Sequence, residues 1–66
     1  MVNTNRLRGI IAERGMHQYE VASALGISAR TFYAKMKSGV FGTDEAEKMT
    51  RILNIPDPAE IFFGKK

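Results

Sequence analysis

The sequence contains no cysteine, so neither a disulfide framework nor a thiolate metal site can reinforce its core. Its one histidine, His17, would need carboxylate partners for a tetrahedral zinc site, in an arrangement the sequence does not offer. No apolar run exceeds three residues, at 10–12 and 61–63, which excludes a helical membrane span. Nothing near Met1 resembles a signal peptide, and the expected location is therefore the cytoplasm. A nucleophile with an acid–base pair and a phosphate-binding loop are also missing, so neither an enzyme nor a cofactor is expected. What remains is ordinary globular material, with 44% hydrophobic and 26% charged residues. Sixty-six residues make one small domain, burying roughly 60% of the surface of its unfolded chain.

Charge is unevenly placed. The formal net charge is +3, and residues 28–42 hold Arg30, Lys35 and Lys37 with no acid. Residues 43–64 hold Asp44, Glu45, Glu47, Asp57 and Glu60 against Lys48 and Arg51. A basic middle followed by an acidic stretch suggests a two-sided molecule with one face suited to polyanions. The Asp44, Glu45, Glu47 cluster reads as a solvated helix start, since calcium-loop spacing is absent.

Apolar residues repeat with a helical period throughout. Asn3, Thr4 or Asn5 caps a first helix with Leu7, Ile10 and Ile11 on one face, ending near Arg14 before Gly15. Gly9 inside it costs roughly 1 kcal/mol relative to Ala and is expected to admit a close neighbour. A second helix follows Met16 or His17, with Val21, Ala22 and Leu25 facing inward and Gly26 as its stop. Ser28 caps a third, with Phe32 and Met36 buried and Ser38-Gly39 at its end. Thr43 is expected to cap a fourth, striped by Ala46, Met49, Ile52 and Leu53. Asp57-Pro58-Ala59-Glu60 starts a fifth, in which one of Phe62 and Phe63 joins the core and the other is left for a partner. The fold expected is all-α, a compact bundle of five short helices. The methionines read as initiator and core filler, and His17 as an exposed residue beside a helix start.

The informative stretch is residues 18–38. Only Gly26-Ile27-Ser28 separates two short helices, so they must cross steeply. A small residue is needed at the crossing, which Ala22 supplies, and a residue tolerant of positive φ in the turn, which Gly26 supplies. Val21, Leu25, Ile27 and Phe32 then close the corner. Sorted at about 100° per residue, Arg30, Ala34 and Lys37 lie opposite the buried pair Phe32 and Met36. Ala29 and Tyr33 lie at the border, and Lys35 turns toward the flank.

Alanine, glycine four residues on and a large apolar residue six beyond make this stretch resemble the helix-turn-helix of Cro and phage repressor proteins. The likeness covers nearly the whole chain, including Gln18 at the opening and the closing Leu53-Asn54-Ile55 and Ile61-Phe62-Phe63. One departure is that Met36 serves as the second buried residue of the third helix, where the family uses the position of Lys35. The resemblance implies a lambda repressor-like domain that binds double-stranded DNA sequence-specifically as a transcriptional regulator. Its length suits a Cro-like phage or prophage repressor, with nothing left over for a separate oligomerisation or cleavage domain.

In that family the third helix enters the major groove with its N-terminal end on the base edges. By position, Ser28 belongs to this surface, Ala29 and Arg30 are the first readers, and Tyr33 and Ala34 follow one turn later. Arg30 can bond a guanine through two N–H groups, and Ala29 can touch a thymine methyl. Gln18, Lys37 and the backbone of Ser38 and Gly39 would meet phosphates. Family members pair two-fold on an inverted-repeat operator. A weak homodimer is accordingly expected here, through Phe62 or Phe63. Two rival readings share the fold: an antitoxin or chromosomal regulator, and a protein-interaction module that does not bind DNA.

Overall fold

The computed structural model describes residues 2–63. Short polar side chains decide where most of its helices begin. The Asn3 Oδ1 accepts the Arg6 N–H at 3.1 Å and opens α1 (Thr4–Glu13). Ser28 Oγ accepts the Thr31 N–H at 3.1 Å and opens α3 (Ala29–Ser38). Asp57 does the same for α5 (Pro58–Phe62), with Pro58 at its first position. These are the orphan amides that a helix start exposes, taken up by side-chain oxygens. Between them α2 (Gln18–Leu25) and α4 (Thr43–Ile52) begin differently. In each, a glutamate three residues on reaches back: Glu20 Oε1 accepts from the His17 N–H at 2.7 Å, and Glu45 Oε1 from the Gly42 N–H at 2.8 Å. The cap of α4 is thus Gly42, one residue before the expected Thr43, with its own N–H held by the Glu45 carboxylate and no side chain bonding the amides of the first turn.

All five helices turn one apolar face to a single core. Leu7, Ile10 and Ile11 of α1 meet Val21, Ala22 and Leu25 of α2, Phe32 and Met36 of α3, and Met49 of α4. Leu53, Ile55, Ile61 and Phe62 complete it from the C-terminal side. The α2 helix is central, packing on α1, α3 and α4, while α5 lies across α1 and α4. Phe41, after α3, folds its ring back onto Phe32 with centroids 5.6 Å apart. Among the described residues no strand forms, no polar or charged residue is buried, and no helix is long and apolar enough to cross a membrane.

Two further sequence expectations are overturned. Gly9 admits no close neighbour, since a methyl group there would meet nothing within 4 Å. It stands two residues from Leu7, on the outward face of α1, where its backbone is simply exposed. Ile52 belongs to the surface rather than the stripe of α4, because it lies about 90° round the helix from the line of Met49 and Leu53.

Long-range polar ties join the ends to the middle. The Val2 N–H donates to the Gly39 carbonyl at 3.0 Å, and the Asn3 N–H to the Ile61 carbonyl at 2.7 Å. The segment ahead of α1 therefore clasps the end of α3 and the end of α5 together. Arg14, at the end of α1, donates from Nε to the Leu53 carbonyl at 2.6 Å and from Nη2 to the Asn54 carbonyl at 3.2 Å. Its positive charge thereby caps the negative end of α4. Asn54 takes a left-handed φ of 50°, which asparagine tolerates better than most residues, and this turns the chain toward α5.

Ala22 is fully buried where α2 crosses its neighbours. Ala22→Leu inserts three carbons at a site closed to solvent, and should lower the unfolding free energy by about 1–3 kcal/mol. Urea unfolding followed by circular dichroism measures it. An unchanged midpoint would mean that the crossing is not close-packed at this residue.

Candidate nucleic-acid interface

The corner between α2 and α3 is set by three residues. Gly26 ends α2 with φ 78°, and the next N–H, of Ile27, reaches back to the Ala22 carbonyl at 3.1 Å. No atom crowds Gly26, so its backbone conformation alone selects glycine. Ile27 packs half-buried against the core, and Ser28 then starts α3 in extended backbone. Phe32 and Met36 anchor α3 from below, and Met36, not Lys35, fills its second buried position.

Anchoring one face leaves the other bare. Arg30, Tyr33, Ala34 and Lys37 are exposed along α3, Tyr33 at 49%, with Ala29 half-buried at its first turn. Among the described residues neither Arg30 nor Lys37 has an acidic partner. The face therefore offers one guanidinium, one ammonium, one phenol and two methyl groups, without an opposing carboxylate on the same helix. Gln18 stands half-buried at the first position of α2. Beside it the exposed rings of His17 and Tyr19 stack, with centroids 5.3 Å apart and planes 7° from parallel. Ser28 sits at the expected place, but its hydroxyl is occupied: it accepts from the Thr31 N–H and donates to Thr31 Oγ1 at 2.9 Å. What Ser28 contributes to the surface is the start of the helix.

Sequence reasoning missed the partner of Lys35. Its Nζ lies 3.3 Å from Glu45 Oε1, the same oxygen that holds the Gly42 N–H. The spacing Gly42-x-x-Glu45 was the available signal, since a helix start draws a glutamate at that position back toward its cap. In α5, Phe62 is core at 5% exposure, and Phe63, just after it, stands out at 67%. Phe63 borders an open groove between α4 and α5, lined with Ala46, Thr50, Pro58 and Phe62. No α3 residue lines this groove, so the basic helix and the exposed aromatic occupy separate surfaces. No group of three metal-ligating side chains gathers among the described residues.

Comparison of the chain with protein-family models, with curated proteins and with solved structures gives no match.

Proposed function

We propose that this protein is a binding module, not an enzyme: a sequence-specific double-stranded DNA-binding regulator of the Cro-like phage or prophage repressor kind. The observation that carries the reading is α3 itself. It is locked against α2 through a left-handed glycine turn, and it presents Arg30 and Lys37 unpaired among the described residues on an outward face free of acids. A helix about 10–12 Å across suits a major groove about 12 Å wide. In that pose Arg30 reads a guanine, Ala29 and Ala34 meet thymine methyls, and Tyr33 reaches a base edge or sugar. Lys37 and Gln18 take phosphates, the latter aided by amides at the start of α2 that lack intrahelical acceptors.

One such helix covers only a few base pairs, too few for an operator affinity of ~10⁻⁸ M or tighter. The proposal therefore includes a weak homodimer through Phe63, formed on an inverted repeat with the two α3 helices about 34 Å apart. Mobility shifts on random-sequence duplex at low and moderate salt test the reading first, and selection from a random library then yields the operator. Absence of salt-dependent binding would overturn it. That result would favour a protein-interaction module of the same fold, a reading supported by Ala29 and Ala34, which bring no hydrogen-bonding group to the face.

Lys37 supplies a specific check. Lys37→Ala should weaken binding to every sequence alike and lower the slope of log affinity against log salt by about one unit. A loss confined to the selected site would instead make Lys37 a base reader.

A further inference from the structure

The two lysines of α3 sit on opposite sides of its outward face. Measured from Ala34, Lys35 lies about 100° round the helix one way and Lys37 about 60° the other. A helix that nearly fills a major groove turns its two flanks toward the two sugar-phosphate walls. Each lysine thus faces one wall, yet the two are in different states. Lys37 is exposed and unpaired among the described residues, whereas the Lys35 ammonium lies 3.3 Å from Glu45 Oε1. That oxygen also accepts the Gly42 N–H at 2.8 Å, so the loop into α4 fixes the carboxylate in place. The Lys35 and Glu45 side chains keep 31% and 19% of their surface exposed. Both are mostly covered, and this is the least exposed of the three ion pairs among the described residues, so water screens it less and the carboxylate can hold the ammonium against another anion.

We infer that Glu45 is an electrostatic brake on DNA binding, holding back Lys35 from the phosphate wall it faces. The inference rests on the DNA-binding reading above. In the complex, a phosphate and the Glu45 carboxylate compete for one ammonium, and whichever loses stays unneutralised. Neutralising Glu45 removes the competitor. Lys35 then adds one phosphate contact and releases about one further counterion.

Glu45→Gln isolates the charge, because the amide oxygen can still accept the Gly42 N–H and preserve the start of α4. Affinity for the selected duplex and for random duplex is measured by fluorescence anisotropy across a potassium chloride series. Thermal melting of each variant confirms that it is folded. E45Q should bind both duplexes about fivefold tighter near 0.1 M salt, with a log–log salt slope steeper by about one unit. The same substitution made in a Lys35→Met background should gain less than about twofold and leave the slope unchanged. A merely structural role for Glu45 predicts weaker binding, the opposite sign. An unchanged slope in E45Q overturns the brake. So does an equal gain with Met at position 35, which would mean that Glu45 only repels the duplex. If the native chain shows no salt-dependent binding to any duplex, the DNA-binding reading falls first, and that outcome is seen before any variant is made.

Discussion

Phe62→Ala is expected to cost about 3–5 kcal/mol of unfolding free energy, while Phe63→Ala changes it by less than about 0.5 kcal/mol. The two rings are neighbours in sequence and opposites in environment, at 5% and 67% exposure. Phe62 is the larger of the two core side chains that the five-residue α5 contributes, beside Ile61. Deleting it leaves a helix too short to persist on its own without half its anchorage. A chain of this size has a total stability of roughly 3–10 kcal/mol, so Phe62→Ala should leave a large unfolded fraction at room temperature. Phe63→Ala should fold normally and lose cooperativity on the inverted repeat, since its ring serves the proposed dimer and not the core. Chemical denaturation of both variants, read beside binding isotherms on half-site and full-site duplexes, separates the roles. Loss of stability in Phe63→Ala, or full cooperativity retained, would remove Phe63 from the interface.

Arg30→Ala is expected to lower affinity for the selected operator by about 1–3 kcal/mol, roughly 5- to 150-fold, with much of its effect at a single base pair. The guanidinium is the one group on the α3 face able to give two parallel hydrogen bonds to a guanine edge. Arg30→Lys sharpens the test. It keeps the charge, and hence the salt slope, but replaces a planar fork by a single ammonium, so discrimination at that pair should still fall. Competition binding against duplexes altered one pair at a time reads both variants. Equal losses on operator and random DNA would reduce Arg30 to a phosphate contact.

Helix starts and stops were legible because they are local. Asn3, Ser28 and Asp57 each bond an amide three residues on, and Gly15, Gly26 and Gly39 take the positive φ that ends a helix. The inward faces of α1, α2 and α3 followed from periodicity for the same reason. Failures arose where a preference was read without its geometry. Gly9 was expected to lie against a neighbour because glycine is costly in a helix, although its angle from Leu7 already turned it outward. Thr43 was favoured as a cap for its hydroxyl, whereas the cap falls one residue earlier, at Gly42, whose N–H the Glu45 carboxylate holds. Long-range partners left no local mark at all. Arg14 is nearly forty residues from the carbonyls it caps, and nothing in its surroundings in sequence distinguishes it from Arg6 or Arg8. For the candidate interface, the angular sort placed Arg30, Ala34 and Lys37 outward, as found. It did not foresee that Ser28 spends its hydroxyl on Thr31, or that Lys35 is paired with Glu45.

The clasp formed by Val2 and Asn3 bears on the order in which the chain folds. The α2–α3 corner closes over a few residues, at little entropic cost, and can form early. The bonds from Val2 to Gly39 and from Asn3 to Ile61 must wait until α3 has ended and α5 has docked. They are the least local backbone pairings among the described residues, and closing them carries the largest loop-closure entropy. Any fluctuation that lifts α5 also unfastens the segment holding the end of α3. Docking of α5 is thus coupled to the last turn of α3, and Phe62→Ala should speed amide hydrogen exchange at residues 38 and 39.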